Sequence, residues 1–366
     1  MKRLMVLSIY IILFSFAILY AVLCAWSPGT QKPFLDKSGQ PLPGSISEKL
    51  RVLVNGVEQG MFIKGKNRSK PVLLFVHGGM PEYFLTQKYP TGLEDYFVVV
   101  WWEQRATGLS FNPNASNEVI TIEQLVSDLI EVTNYLRQRF DQEKIYLMAH
   151  SGGSFIGIQA AAEAPGLFHA YIGVAQISNQ LKSEKQAYEY MRLQYKTKGD
   201  SQMVRRLEAV PVTLENGVPN AYYALRDKAM HSLGIGTTHE MRSIVTGVFL
   251  PSLQFREYTL AEKINLWRAK AASGVSIIWQ AIMTTDLTKK VTELSIPVYF
   301  FHGSYDYTCS YTEAKLYFDK LKAPTKGFYT FTNSAHSPFL EEPEKTQLIL
   351  REDVLWGLAD LADKHD

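Results

Sequence analysis

Leu147-Met148-Ala149-His150-Ser151-Gly152-Gly153-Ser154 constrains this chain more than any other stretch. An apolar run, Ile145 to Ala149, stops at a serine flanked by small residues, and a segment of helical character follows. A strand that turns this sharply into a helix strains the residue at the turn. The residues two before and two after it must be nearly free of side chain to pass each other. Gly153 meets that demand. Ala149 stands where the pattern usually has glycine, a departure the turn tolerates because a methyl group still fits. Such a nucleophile elbow holds Ser151 Oγ up at the end of a sheet and aims the following N–H groups at an incoming carbonyl. Taken alone, the five residues also fit a glycine-rich strand-to-helix turn without chemistry.

The rest of the composition narrows the class. At 366 residues, 46% hydrophobic and 20% charged, the chain can bury a large core, as one domain with an insertion or as two domains. A net charge of +2 gives no electrostatic case for nucleic acid. No internal repeat and no zinc-type Cys/His spacing is present. The two cysteines, Cys24 and Cys309, are poorly placed for a disulfide, because Cys24 lies in an apolar N-terminal run.

That run, Leu4 to Ala25, carries no charge. At about 1.5 Å per residue it reaches across a hydrocarbon core about 30 Å thick. Lys2 and Arg3 precede it, which places the N-terminus in the cytoplasm and the remainder outside: a single-pass protein of the cell membrane with an extracytoplasmic domain. Secretion after signal cleavage is the alternative. The run is longer than a usual signal core, and Leu23 sits where a small residue is wanted before a cut after Ala25. Residues 27–48 are rich in Pro, Gly, Ser and Gln and read as a tether.

From about Leu50, short β-rich runs alternate with helical patterns. Arg51–Asn55 and Met61–Gly65 read as a hairpin with Asn55-Gly56 near its turn. Val72–Val76 and Phe97–Trp102 read as strands buried on both faces. Thr121–Phe140 has helical periodicity with Thr121 as N-cap. Ile145–Ala149, Ala170–Ala175, Val298–His302 and Gly327–Phe331 complete the strands, which predicts an α/β architecture with a mainly parallel central sheet flanked by helices. The interval from about Ser178 to Lys290 has helical patterns, such as Glu184–Lys196 and Glu257–Ala272, and no clear buried strand. It reads as a helical cap inserted between consecutive strands. The division expected is a transmembrane anchor or signal-anchor at 1–26, a linker at 27–49, a core at 50–177 and 291–366, and the cap at 178–290.

A serine hydroxyl attacks well only when an oriented base takes its proton. Asp306 follows the strand ending in Phe300-Phe301-His302-Gly303, and His336 follows the last strand in Asn333-Ser334-Ala335-His336. Ser151, Asp306, His336 is a Ser…Asp…His order. The equivalent position after the sixth strand, Gln176 onward, offers no carboxylate to compete with Asp306. Taken singly, Asp306 also fits a helix cap and His336 a loop histidine.

From about Val52 onward these motifs resemble the α/β-hydrolase fold, and most closely its prolyl iminopeptidase-like branch. His77-Gly78-Gly79-Met80-Pro81 resembles that branch's His-Gly-Gly-Pro-Gly loop. Glu103-Gln104-Arg105-Ala106-Thr107-Gly108-Leu109-Ser110 resembles its Asp-Gln-Arg-Gly-x-Gly-x-Ser segment, and His336-Ser337-Pro338-Phe339-Leu340-Glu341-Glu342-Pro343 its histidine loop. Met80-Pro81, Glu103 and Ala106 depart from the pattern.

The reading is a membrane-anchored serine hydrolase acting on a small-molecule or peptide substrate through an acyl-enzyme, with Ser151 as nucleophile, His336 as base and Asp306 as its orienter. The N–H groups of Gly79 and Gly152 form the oxyanion hole. No metal or organic cofactor is required. His150 is expected to pack or hydrogen-bond locally, His77 to brace the oxyanion loop, Glu103 and Arg105 to pair structurally, and Cys309 to be a bystander. The resemblance implies an aminopeptidase, often one that removes proline, with cap carboxylates holding the substrate's ammonium; Glu184, Glu189, Glu240, Glu257 and Glu262 are the candidates. The cap aromatics Tyr188, Tyr190, Tyr222, Tyr223, Phe249, Phe255, Trp267 and Trp279 read as the cap's own core or as an acyl pocket. An esterase or lipase-like hydrolase, and a non-catalytic binding protein on the same scaffold, are the alternatives.

Overall fold

A computed structural model describes residues 2–114 and 119–364, so the expected outer bounds at 1 and 366 lie outside the described residues. The N-terminal helix α1 (Lys2–Ala25) stands free of the body: the stretch Arg3–Ala25 has a mean hydropathy of 2.6 and none of it is buried. It is long and apolar enough to cross a membrane.

The hairpin β1 (Ile46–Val54) and β2 (Val57–Gly65) turns at Asn55-Gly56, both at positive φ, as a two-residue hairpin turn requires. β3 (Val72–Val76), β4 (Val98–Trp102), β5 (Ile145–His150), β6 (Phe168–Val174), β7 (Val298–Gly303) and β8 (Lys326–Phe331) complete an eight-stranded sheet of order β1-β2-β4-β3-β5-β6-β7-β8. β1/β2 and β2/β4 are antiparallel and all other pairs parallel. In β3, Val72, Leu74 and Val76 enter the core on one face, and Leu73 and Phe75 the core on the other. Successive side chains point to opposite faces, so a strand covered on both sides reads as a continuous apolar run.

Helices α2 (Ile122–Phe140) and α3 (Gly152–Glu163) follow β4 and β5. Thr121 caps α2 by accepting from the Gln124 N–H. Between β6 and β7 run α4 (Gln180–Thr197), α5 (Ser201–Glu208), α6 (Asn220–Leu233), a π-helical turn at Val245–Phe249, α7 (Leu250–Gln254), α8 (Leu260–Ser273), α9 (Trp279–Thr284) and α10 (Leu287–Lys290). α11 (Tyr311–Lys320), α12 (Pro338–Glu341) and α13 (Pro343–Glu352) complete the chain's helices.

Ala149 fits the β5–α3 turn because Gly157 faces it. A methyl group on Gly157 would lie 2.7 Å from Ala149 Cβ and 3.2 Å from the Tyr171 ring. Alanine ordinarily favours a helix over glycine by about 1 kcal/mol. Here Gly157→Ala is expected to destabilise by about 1–3 kcal/mol, the usual cost of overpacking. Adding Ala149→Gly should restore most of the loss, as read from urea midpoints. An additive double variant would contradict this compensation.

Candidate active site

The C-terminal ends of β3, β5, β7 and β8 gather the singled-out residues. Ser151 ends β5 with φ 54° and ψ −125°, a strained conformation for a non-glycine residue. Its N–H donates to Val174 O at 3.0 Å. Its carbonyl accepts from Ser154 N and from Ser154 Oγ, at 2.9 and 2.6 Å. A side chain on Gly153 would strike the carbonyl oxygens of Val76 and His77. The β3 loop passes so close that a Cβ on Gly78 would lie 2.7 Å from Ser151 Cβ and 3.1 Å from its Oγ.

His336 and Asp306 meet as expected. His336 Nδ1 lies 3.0 Å from Asp306 Oδ2, with both residues buried. Asp306 Oδ1 accepts the Thr308 and Cys309 N–H groups at 2.8 and 2.9 Å. Burial alone would raise the Asp306 carboxyl. The facing His336 and His302 rings and the Cys309 N–H outweigh it and hold the group below its usual range. Among the described residues no hydrogen bond joins Ser151 Oγ to His336. In substrate-free hydrolases that contact is commonly long and tightens when substrate binds.

The β3 loop is braced from below. His77 Nδ1 lies 2.9 Å from Gly78 O, and the Gln104 N–H donates to Nε2 at 3.1 Å. Burial lowers the His77 pKa to about 4, so the ring is neutral, with its proton on Nδ1. Gly79 and Gly152 face each other: a Cβ on Gly152 would lie 3.8 Å from Gly79 N. Among the described residues no acceptor takes the Gly79 N–H.

Several partners escaped the sequence. His150 Nδ1 is 2.9 Å from both oxygens of Glu82, and its Nε2 is 2.7 Å from His336 O. The ring is thus held between the Glu82 carboxyl and the His336 carbonyl. Burial opposes a charge on it, yet Glu82 and the carbonyl outweigh burial and raise its pKa. Lys270 Nζ, on α8, donates to Gly79 O at 3.2 Å, and the His336 N–H meets Gly236 O at 3.4 Å. The interval between β6 and β7 thus touches both the β3 loop and the histidine loop. Glu82 directly follows the His77–Pro81 motif in the sequence, whereas Lys270 and Gly236 carry no local signal.

Glu103 and Arg105 do not pair with each other. Arg105 forms a fork to the buried Asp128 at 2.7 and 2.9 Å. Glu103 instead accepts the Leu109 N–H at 2.5 Å and bonds Tyr258 Oη. Burial pushes Glu103 up to about 8 from 4.5. The folded protein therefore keeps a proton that the unfolded chain has released. The stability this provides is full below pH 4.5 and is lost as pH rises through about 8. Glu103→Gln is expected to flatten the fall in Tm between about pH 5 and about pH 8. It should not abolish that fall, because the half-buried Glu341 is also raised to about 8. Thermal melts across that range check it; an unchanged slope would count against it. Burial, followed by Asp306, pushes the Cys309 thiol well above its usual value, so it stays protonated.

The expected ammonium ligands are largely engaged. Glu184 is held by Arg226 at 2.6 and 2.8 Å, Glu257 by Lys64 at 2.6 Å, Glu262 by Lys49 at 2.9 Å and Glu189 by Lys185 at 2.5 Å; Glu240 is exposed. Tyr188 and Tyr222 lie in an apolar cluster formed among the helices between β6 and β7, with Tyr190 and Tyr223 against it. Phe249 packs on Trp267, Phe255 joins the core beside the sheet, and Trp279 Nε1 donates to Tyr223 Oη.

Residues 71–343 match the family of the alpha/beta hydrolase fold, and the chain belongs to it. The probable aminopeptidase YbaC of Bacillus subtilis (strain 168) is 29% identical over 307 residues, 83% of this chain and 95% of that protein. The proline iminopeptidase-related protein of Thermus thermophilus superposes with a TM-score of 0.59 at 20% identity, over 86% of this chain and 99% of that one. An esterase from Exiguobacterium antarcticum does so at 0.52 and 14%, over 84% and 100%. At these identities the two solved structures speak for the fold. The chain is a hydrolase of this family, similar to a protein named as a probable aminopeptidase.

Proposed function

We propose that the protein is a membrane-anchored serine hydrolase, a prolyl iminopeptidase-like aminopeptidase working through an acyl-enzyme. The observation that carries this reading is the buried His336 Nδ1–Asp306 Oδ2 contact of 3.0 Å beside the strained Ser151 turn. His336 Nε2 takes the Ser151 proton as Oγ attacks the substrate carbonyl. Asp306 holds the ring with its proton on Nδ1 and stabilises the imidazolium that forms. The Gly79 and Gly152 N–H groups receive the oxyanion. His336 then protonates the leaving amine, and water, activated by the same ring, releases the acyl group. Residues 178–290 form the lid over this site, the stretch from residue 27 to the start of β1 at Ile46 the tether, shorter at its C-terminal end than the expected 27–49, and α1 a single-pass anchor with the catalytic domain outside.

The likeness to a protein named as a probable aminopeptidase supports peptide substrates. The pairing of Glu184, Glu257 and Glu262 with Arg226, Lys64 and Lys49 favours the second reading, an esterase, since none of the three is free to hold an ammonium. A panel of prolyl and other aminoacyl arylamides alongside short and medium aryl esters separates the two, with Ser151→Ala as control. Serine-dependent cleavage of free-amine arylamides is expected. Cleavage of esters alone would move the protein to the esterase class.

A further inference from the structure

The lid segment from Met241 to Arg256, MRSIVTGVFLPSLQFR, contains two arginines and no acidic residue. Its apolar residues divide between two sides. Met241, Val248 and Phe255 are buried in the core. Val245, Phe249 and Leu250 are 59, 36 and 42% exposed, crowded onto the π-helical turn and the first residue of α7. Arg242 and Arg256 are exposed at the two ends of the segment. An apolar face rimmed by cations, with the exposed acid Glu240 only outside the segment beside Arg242, has the composition of a surface that enters a lipid headgroup layer.

The same segment is tied to the end of the membrane-spanning helix. Lys263 Nζ donates at once to Trp26 O at 2.8 Å, Ser27 Oγ at 3.0 Å and Leu253 O at 2.5 Å. The Gly29 N–H donates to Arg256 O at 3.1 Å, and Pro28 forms a bridge with Thr259. Leu250 is one helical turn, about 5 Å, from Leu253. Leu250, at the edge of the exposed face, therefore lies within about 10 Å of the end of α1. α8, which carries Lys263, reaches with Lys270 to Gly79 O, so the docked end and the oxyanion loop share one rigid helix.

We propose that Val245, Phe249 and Leu250 form a membrane-docking face, which seats the lid in the headgroup layer of the bilayer that α1 spans, with Arg242 and Arg256 on anionic headgroups. This rests on the reading of α1 as an uncleaved anchor.

The test uses the full chain, in a Cys24→Ser background, reconstituted in vesicles of phosphatidylcholine and phosphatidylglycerol. A nitroxide is attached in separate proteins at Phe249→Cys, Leu250→Cys, Leu193→Cys and Phe14→Cys. Leu193 is 60% exposed on α4 and serves as the aqueous reference; Phe14 lies within α1. Collision of each label with oxygen, which concentrates in lipid, is compared with collision with a water-soluble nickel chelate. The oxygen-to-nickel ratio at 249 and 250 is expected to exceed that at 193 severalfold. Phe249 packs on Trp267, so Leu250 keeps the test decisive if Phe249→Cys does not fold. Labels at 249 and 250 that match 193, while 14 reads as lipid, would overturn the docking face and leave the anchor standing. A label at 14 that reads as aqueous would overturn both.

Discussion

Ser151→Ala is expected to lower kcat/KM by about 10⁴–10⁶-fold while leaving the protein folded, because the nucleophile and its proton acceptor act as a unit. The fold should be indifferent to the change. Ser151's backbone contacts, its N–H to Val174 and its carbonyl to Ser154, are kept by alanine, which loses only the hydroxyl's contact with the Cys309 thiol. The strained φ of 54° is imposed by the turn and is carried equally by alanine. Steady-state kinetics with a far-UV melt on the same sample separate the two effects. Loss of activity with an unchanged melt is the expected pair; retained hydrolysis would remove Ser151 from the chemistry.

Asp306→Asn is expected to cost about 10⁴-fold in kcat with a well-formed site. The sign follows from the hydrogen bonds. Asp306 Oδ1 accepts two backbone N–H groups, from Thr308 and Cys309. In asparagine only the carbonyl oxygen accepts, so those two donors fix it in the Oδ1 position. The amide nitrogen must then face His336 Nδ1, where Oδ2 stood at 3.0 Å. An N–H aimed at Nδ1 forces the proton onto Nε2, and that tautomer cannot take a proton from Ser151. KM should move little. Kinetics on the variant check this, and a loss carried by KM with kcat intact would contradict the orienting role.

Much of this arrangement is legible in the sequence because it is local. The β3 and β4 runs read as strands because both faces of each are covered, and Thr121 reads as a cap because its hydroxyl serves an N–H three residues on. The strand-to-helix turn at Ser151 is legible for the same reason, since its small residues answer a steric demand within a few positions. β1 is the instructive exception. It begins at Ile46, five residues before the expected Arg51, because Ser47, Glu48 and Lys49 pair with β2 along a partly solvated edge that apolar patterning does not mark.

What the sequence did not reveal is long-range pairing. Arg105 finds Asp128, not the nearby Glu103, because Asp128 sits fully buried on α2 and two forked hydrogen bonds offset its desolvation. His150 reaches the carbonyl of His336 across 186 residues, and Lys270 reaches Gly79 across 191. No periodicity encodes such contacts. The carboxylates between β6 and β7 show the same limit: Glu184 and Glu257 are a matter of composition in the sequence and become ion-paired groups only when α6 and β2 bring Arg226 and Lys64 to them.

The most direct test of the central claim is reaction of the folded, full-length protein with a fluorophosphonate, followed by peptide mass mapping of the adduct. The account predicts a single adduct on Ser151, absent from Ser151→Ala and slow to form in Asp306→Asn. An adduct on another residue with Ser151 unmodified, or no adduct on folded protein, would contradict it.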